Sequence, residues 1–67
     1  MLNNDILRRI RYIKDYSDQQ MLDIFNLTGI EISRDQLNHW LKKDDDPDYI
    51  HCDDLEFSSF LFSALLN

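Results

Sequence analysis

Glycine and proline occur once each in 67 residues, at Gly29 and Pro47. Turns that need either residue are therefore scarce, which argues against a strand-and-turn architecture and for helices. Cysteine also occurs once, as Cys52, so no disulfide can form within the chain. Positive charge is absent from the last third. All seven Lys and Arg lie in residues 1–43 against six acids, whereas residues 44–67 hold seven acids and no base. The net charge of −6 is thus concentrated around Asp44–Asp54, and such a balance weighs against non-specific binding of a phosphate backbone. There is no N-terminal signal pattern, because Arg8, Arg9 and Arg11 interrupt any apolar run. The longest apolar stretch, residues 55–66, is too short to span a bilayer. A soluble, cytoplasmic protein without membrane contact is the expectation.

What is present is aromatic weight: four Phe, three Tyr and one Trp. A chain this short forms one domain and buries only about 60% of the surface exposed when unfolded. A few large side chains must therefore supply most of its stability.

The periodicity predicts an all-α domain of four short helices, at about residues 5–15, 17–28, 34–43 and 54–66. Asn3 and Asn4 read as caps of the first helix, with Asp5 at its positive end. Ile6, Leu7, Ile10 and Ile13 form its apolar stripe, and Arg8, Arg9, Arg11 and Lys14 its basic face. Ser17 and Gln20 fit a capping box for the second helix. Its apolar side is Met21, Leu22, Ile24, Phe25 and Leu27, and Gly29 ends it by taking the left-handed conformation. Ser33 and Gln36 repeat the box before a third helix with Leu37, Trp40 and Leu41 inward. Pro47 disfavours a helical Asp46 and stops it. Asp53 and Glu56 suggest a capping-box-like start for the last helix. There, Phe57, Phe60, Leu61, Ala64 and Leu65 make a buried stripe and leave Leu55, Phe62 and Leu66 outside it. A helix apolar on nearly all sides requires cover on nearly all sides.

Chemical motifs are sparse. The second and third helices, joined by residues 28–33, invite comparison with a helix-turn-helix. Arg34, Gln36, Asn38 and Lys42 on the third are of the types that read bases and phosphates. The joint is longer than usual for that motif, and the acidic segment follows directly. A salt-dependent shift with duplex DNA would identify such binding. Asp44, Asp46 and Asp48 open like a calcium loop, but Tyr49 and Leu55 stand where Gly and Glu are required. His39, His51 and Cys52 lack zinc-ligand spacing. Cys52 reads as a small buried residue; placed in the positive field of the last helix, its thiol would be acidified. No nucleophile, acid–base pair, metal set or cofactor site can be named, so an enzyme is not expected.

Two groups of residues carry a family resemblance. Asn4-Asp5-Ile6-Leu7-Arg8-Arg9-Ile10-Arg11-Tyr12 resembles the opening of the YehS-like proteins, a bacterial family of unknown function. Trp40-Leu41-Lys42-Lys43 with the acidic run, then Cys52 and Ser58-Ser59-Phe60-Leu61, resemble the rest of that family's domain. The resemblance implies a helical domain found in two tandem copies, this chain being the N-terminal copy. It implies no activity. One departure is that the family often has Asn-Gly after Phe60-Leu61, where this chain has Phe62-Ser63.

The sequence thus points to a small non-catalytic interaction or regulatory module. Its expected surfaces are the apolar residues Phe62 and Leu66 and the basic residues Arg8 and Arg11. A protein partner or a second copy of the domain, as a homodimer, is the expected occupant. The alternative is a nucleic-acid binder using Arg34, Gln36, Asn38 and Lys42.

Overall fold

The computed structural model describes residues 1–66, which form α1 (Asn3–Lys14), α2 (Asp18–Asn26), α3 (Arg34–Trp40) and α4 (Asp54–Leu66). No strand occurs among the described residues, and the all-α architecture read from the sequence holds.

The helix boundaries follow from local hydrogen bonding. Ser17 Oγ accepts from the Gln20 amide while Gln20 Oε1 accepts from the Ser17 amide, closing the expected capping box at the start of α2. Before α3 only half of the second box forms: Ser33 Oγ accepts from the Gln36 amide. Gly29, at φ 83°, ends the turn after α2 in the left-handed region. At the end of α1 the chain turns without a glycine. Asp15 takes φ 54°, the Tyr16 amide donates to the Arg11 carbonyl and the Asp15 amide to the Tyr12 carbonyl. Those paired bonds are a Schellman ending built on aspartate where glycine is usual.

Helix α3 stops at Trp40, three residues before the expected end. A longer helix would need the His39 carbonyl for Lys43 and the Trp40 carbonyl for Asp44. The first instead accepts from the Ile50 amide, and the second from the Asn4 side chain. The box expected from Asp53 and Glu56 does not close either. The Asn3 amide holds the start of α4 instead, donating to the Cys52 carbonyl at 3.0 Å and to Asp54 Oδ1 at 2.7 Å.

Asn3 and Asn4 are therefore not caps of α1, whose flanking residue is Leu2. Asn4 is fully buried. Its Nδ2 donates to the carbonyls of Trp40 and Ile50, and its Oδ1 accepts from the Cys52 amide, each at 2.9 Å. One side chain thus ties the first turn of α1 to the end of α3 and to the chain entering α4.

The core centres on three aromatic rings. Phe25 of α2 lies 5.5 Å from Trp40 and 4.8 Å from Phe60, both tilted, a favourable arrangement for ring quadrupoles. Leu7, Met21, Ile24, Leu37 and Cys52 complete the dry interior. Helix α4 packs chiefly on α2 and also along α1. Asn3 meets Asp54, while Ile10 and Lys14 share a depression with Leu61 and Leu65. Helices α1 and α4 therefore run in the same direction, side by side.

Three residues expected inside lie outside. Ile13 is 76% exposed and Leu65 87% exposed. Leu27 is exposed as well. On α4 the buried line is Phe57, Phe60 and Ser63, with Leu61 and Ala64 partly covered.

Candidate interaction surface

The outer face of α4 is built by helical spacing alone. Leu55, Ser58, Phe62 and Leu65 recur at intervals of three and four, and Leu66 adjoins them. Their exposures are large: 73% for Leu55, 59% for Phe62, 87% for Leu65 and 72% for Leu66. From Phe57 to Leu66 the helix carries no charged residue. Isolated surface leucines are ordinary, but a connected apolar line on one helix is a recognised mark of an interaction site. Ser58, within the line, donates its hydroxyl to the Leu55 carbonyl at 3.1 Å. Its polar group is thus satisfied inside the helix.

The line continues toward α1 through a shallow depression of ≈ 400 Å³, lined by Ile10, Lys14, Tyr16, Leu61, Ala64 and Leu65. Lys14 provides the one charged group on that lining. Phe62 and Leu66, read from the sequence as the uncovered apolar residues, both lie on this outer face. Leu65, read as core, lies beside them. Sequence periodicity could not separate these sides, because α4 is apolar around most of its circumference.

Arg8 and Arg11, read as a second surface, are engaged within the fold. Arg8 donates to the Lys42 carbonyl at 2.9 Å and pairs with Asp5. Arg11 donates to the Tyr16 carbonyl at 3.3 Å and pairs with Asp18 at 2.8 Å. The two guanidinium groups fasten α1 to the end of α3 and to the start of α2, so they are not brought together with Phe62 and Leu66.

The residues considered for nucleic-acid binding are dispersed in a similar way. Arg34 donates to Gln19 Oε1 at 3.1 Å and approaches Asp18 at 3.7 Å. Gln36 and Asn38 are exposed on α3, whereas Lys42 lies beyond its end. At seven residues, α3 is also short for a recognition helix.

No group of three or more His, Cys, Asp or Glu suited to a metal ion occurs among the described residues. His39 Nδ1 contacts the Asp48 carbonyl at 2.7 Å, and His51 Nδ1 contacts the Tyr49 hydroxyl at 3.3 Å. Cys52 is buried with a free thiol, and the acidification expected from the α4 terminus is reversed. Burial first, then the negative charges of Glu56 and Asp53, push its pKa up to about 12. Two polar atoms on one side of α4, Glu56 Oε2 and Ser63 Oγ, are buried without hydrogen-bond partners. No helix among the described residues is long and apolar enough to cross a membrane.

A family model described as "Protein of unknown function (DUF1456)" matches residues 3–65. The uncharacterized protein YehS of Escherichia coli (strain K12) is 39% identical over 61 residues, covering 91% of this chain and 39% of that protein. The chain therefore spans well under half the length of this curated relative. No solved structure matches it.

Proposed function

The chain belongs to the DUF1456 family of proteins of unknown function, and within that family we propose for it a non-catalytic role as a helical protein-interaction module. The YehS-like resemblance read from Asn4–Tyr12 and Trp40–Lys43 is borne out by that membership. The observation that carries the proposal is the apolar outer face of α4, where Leu55, Phe62, Leu65 and Leu66 stay largely exposed although Phe57 and Phe60 on the same helix are buried. A domain this small has little apolar surface to spare. Leaving four large apolar side chains in water on its most apolar helix is consistent with their being covered by a partner.

The non-catalytic part of this reading is supported by the surroundings of the thiol and the two imidazoles. The one thiol is buried and held in its neutral form, and the histidines contact neighbouring loop groups. A cytoplasmic setting is part of the same proposal and rests on composition.

The test is an environment-sensitive apolar dye, bis-ANS, titrated at protein concentrations low enough to disfavour self-association. Native protein should enhance its emission, and Phe62→Asn together with Leu65→Lys should remove most of that enhancement without loss of helical circular dichroism. Enhancement that survives both substitutions would place the accessible apolar surface elsewhere and defeat the assignment.

A further inference from the structure

The occupant of the α4 face can be argued from the pattern of side-chain sizes along it. Reading outward-facing positions in order gives Leu55, then the small pair Ser58 and Ser59, then Phe62, then Leu65 and Leu66. Large groups thus occupy both ends, with one large and two small near the centre. We propose that the α4 face binds a second copy of this chain, α4 against α4, antiparallel about a two-fold axis.

A two-fold interface requires each patch to complement itself. In the antiparallel register Leu55 of one copy meets Leu65 and Leu66 of the other. Phe62 of each copy then lies over the Ser58–Ser59 step of its partner, a large side chain above two small ones. The Ser58 hydroxyl is already bonded to the Leu55 carbonyl, so covering it orphans no donor.

Charge selects the direction. The acids nearest the seam, Asp53, Asp54 and Glu56, precede or begin α4, and none follows. Parallel pairing would bring two such clusters together. Antiparallel pairing places them at opposite ends of the seam, about 16 Å apart along the helix axis. None of the outward-facing seam positions, Leu55, Ser58, Ser59, Phe62, Leu65 and Leu66, carries a formal charge.

Area sets the strength. At the exposures of Leu55, Phe62, Leu65 and Leu66, each copy offers on the order of 500 Å² of large side-chain surface, roughly 1,000 Å² in a pair. That lies at the low end of specific interfaces, so the dimer is weak and concentration-dependent. Two copies of net charge −6 also repel each other, and salt screens that repulsion.

This inference rests on the interaction-module reading and can fail separately from it. Molar mass is measured by light scattering across a concentration series, at low and high salt, for the wild type, Phe62→Asn and Leu65→Lys. The expected result is a mass rising toward twice the monomer value, earlier at high salt. Phe62→Asn, near the centre of the seam, should weaken association by about tenfold or more, the scale of a central interface anchor, and Leu65→Lys, at the seam's end beside the acids that flank Leu55 of the other copy, should weaken it less. Orientation is read from Leu55→Cys and Leu66→Cys proteins under mild oxidation, with Cys52 buried. Mixed together, the two should form the 55–66 heterodisulfide in preference to either homodisulfide. A wild-type monomer at every concentration, a dimer indifferent to both surface substitutions, or a preferred 55–55 homodisulfide would overturn the proposal. A monomer that still enhances bis-ANS through Phe62 would leave the docking face in place for another occupant. A monomer that does not would end both readings.

Discussion

Removing the side chain of Asn4 should cost far more than its size suggests. Asn4→Ala deletes one donor pair and one acceptor that serve three backbone groups, the carbonyls of Trp40 and Ile50 and the amide of Cys52. Each group left without a partner costs about 1 kcal/mol or more, so the total is about 3 kcal/mol. A 67-residue domain has about 3–10 kcal/mol in all. The substitution should therefore remove a large part of the stability. The assay is urea unfolding followed by fluorescence of Trp40, the single tryptophan and a core residue beside Phe25. With a slope of about 1 kcal/mol per molar urea for a chain of this size, the midpoint should fall by about 3 M. Asn4→Asp keeps the acceptor for Cys52 but loses both donors and places a carboxylate against two carbonyls, so it should be no milder. Asn3→Ala is the contrast. Its bonds to Cys52 and Asp54 lie nearer solvent, water can replace them, and the loss should stay below about 1 kcal/mol. An Asn4→Ala loss as small as that of Asn3→Ala would refute the account of Asn4 as the central polar clamp.

Three further outcomes are expected. Asp15→Gly should raise stability by about 0.5–1 kcal/mol in thermal unfolding, because Asp15 sits at φ 54° and at the negative end of α1; no gain would mean the aspartate makes a compensating contact. Ser63→Ala should be neutral or stabilising by up to about 1 kcal/mol in the same assay, since its buried hydroxyl has no partner. A clear destabilisation would point to an unrecognised bond at Ser63. For Cys52, burial and the neighbouring acids hold the folded thiol pKa at about 12, above the ordinary value of 9.0. Above pH 9 the unfolded chain binds fewer protons than the folded one, so stability should fall between about pH 9 and 12. Cys52→Ala should flatten that slope, and a thiol reagent at pH 8 should modify Cys52 only as fast as the domain opens; rapid native labelling would contradict its burial.

Features encoded by neighbouring residues were legible in the sequence. The Ser17–Gln20 box, the Gly29 turn and the inward Leu7, Phe25, Leu37 and Trp40 all follow from spacings of three or four, which a linear reading captures. Features set by distant partners were not. The partners of Asn4 lie at residues 40, 50 and 52, so locally it resembles any cap. The early end of α3 depends on carbonyls claimed by Asn4 and Ile50, again out of sequence reach. Helix α4 was legible as a helix but not as to its face. With Leu, Phe or Ala at most positions, its buried line depends on where α2 happens to sit, and Leu65 fell on the other side. Likewise the basic residues of α1 could be read as a face, but not the carbonyls and acids that occupy Arg8 and Arg11.

The common direction of α1 and α4 has an electrostatic consequence. Parallel neighbours place two positive N-terminal ends together, each equivalent to about half an elementary charge, and two negative ends together at the far side. Asp5, Asp53, Asp54 and Glu56 gather at the first pole, and Arg11 and Lys14 at the second. The uneven division of charge along the chain is in this sense a counterweight, with acids supplied where two peptide dipoles add. The counterweight is incomplete, because the last turn of α4 has no base. In a two-fold antiparallel pair each such end would lie beside the start of the partner's α4, where three carboxylates outweigh the half-charge of the helix end, so the pole left without a base adds to the repulsion that salt must screen.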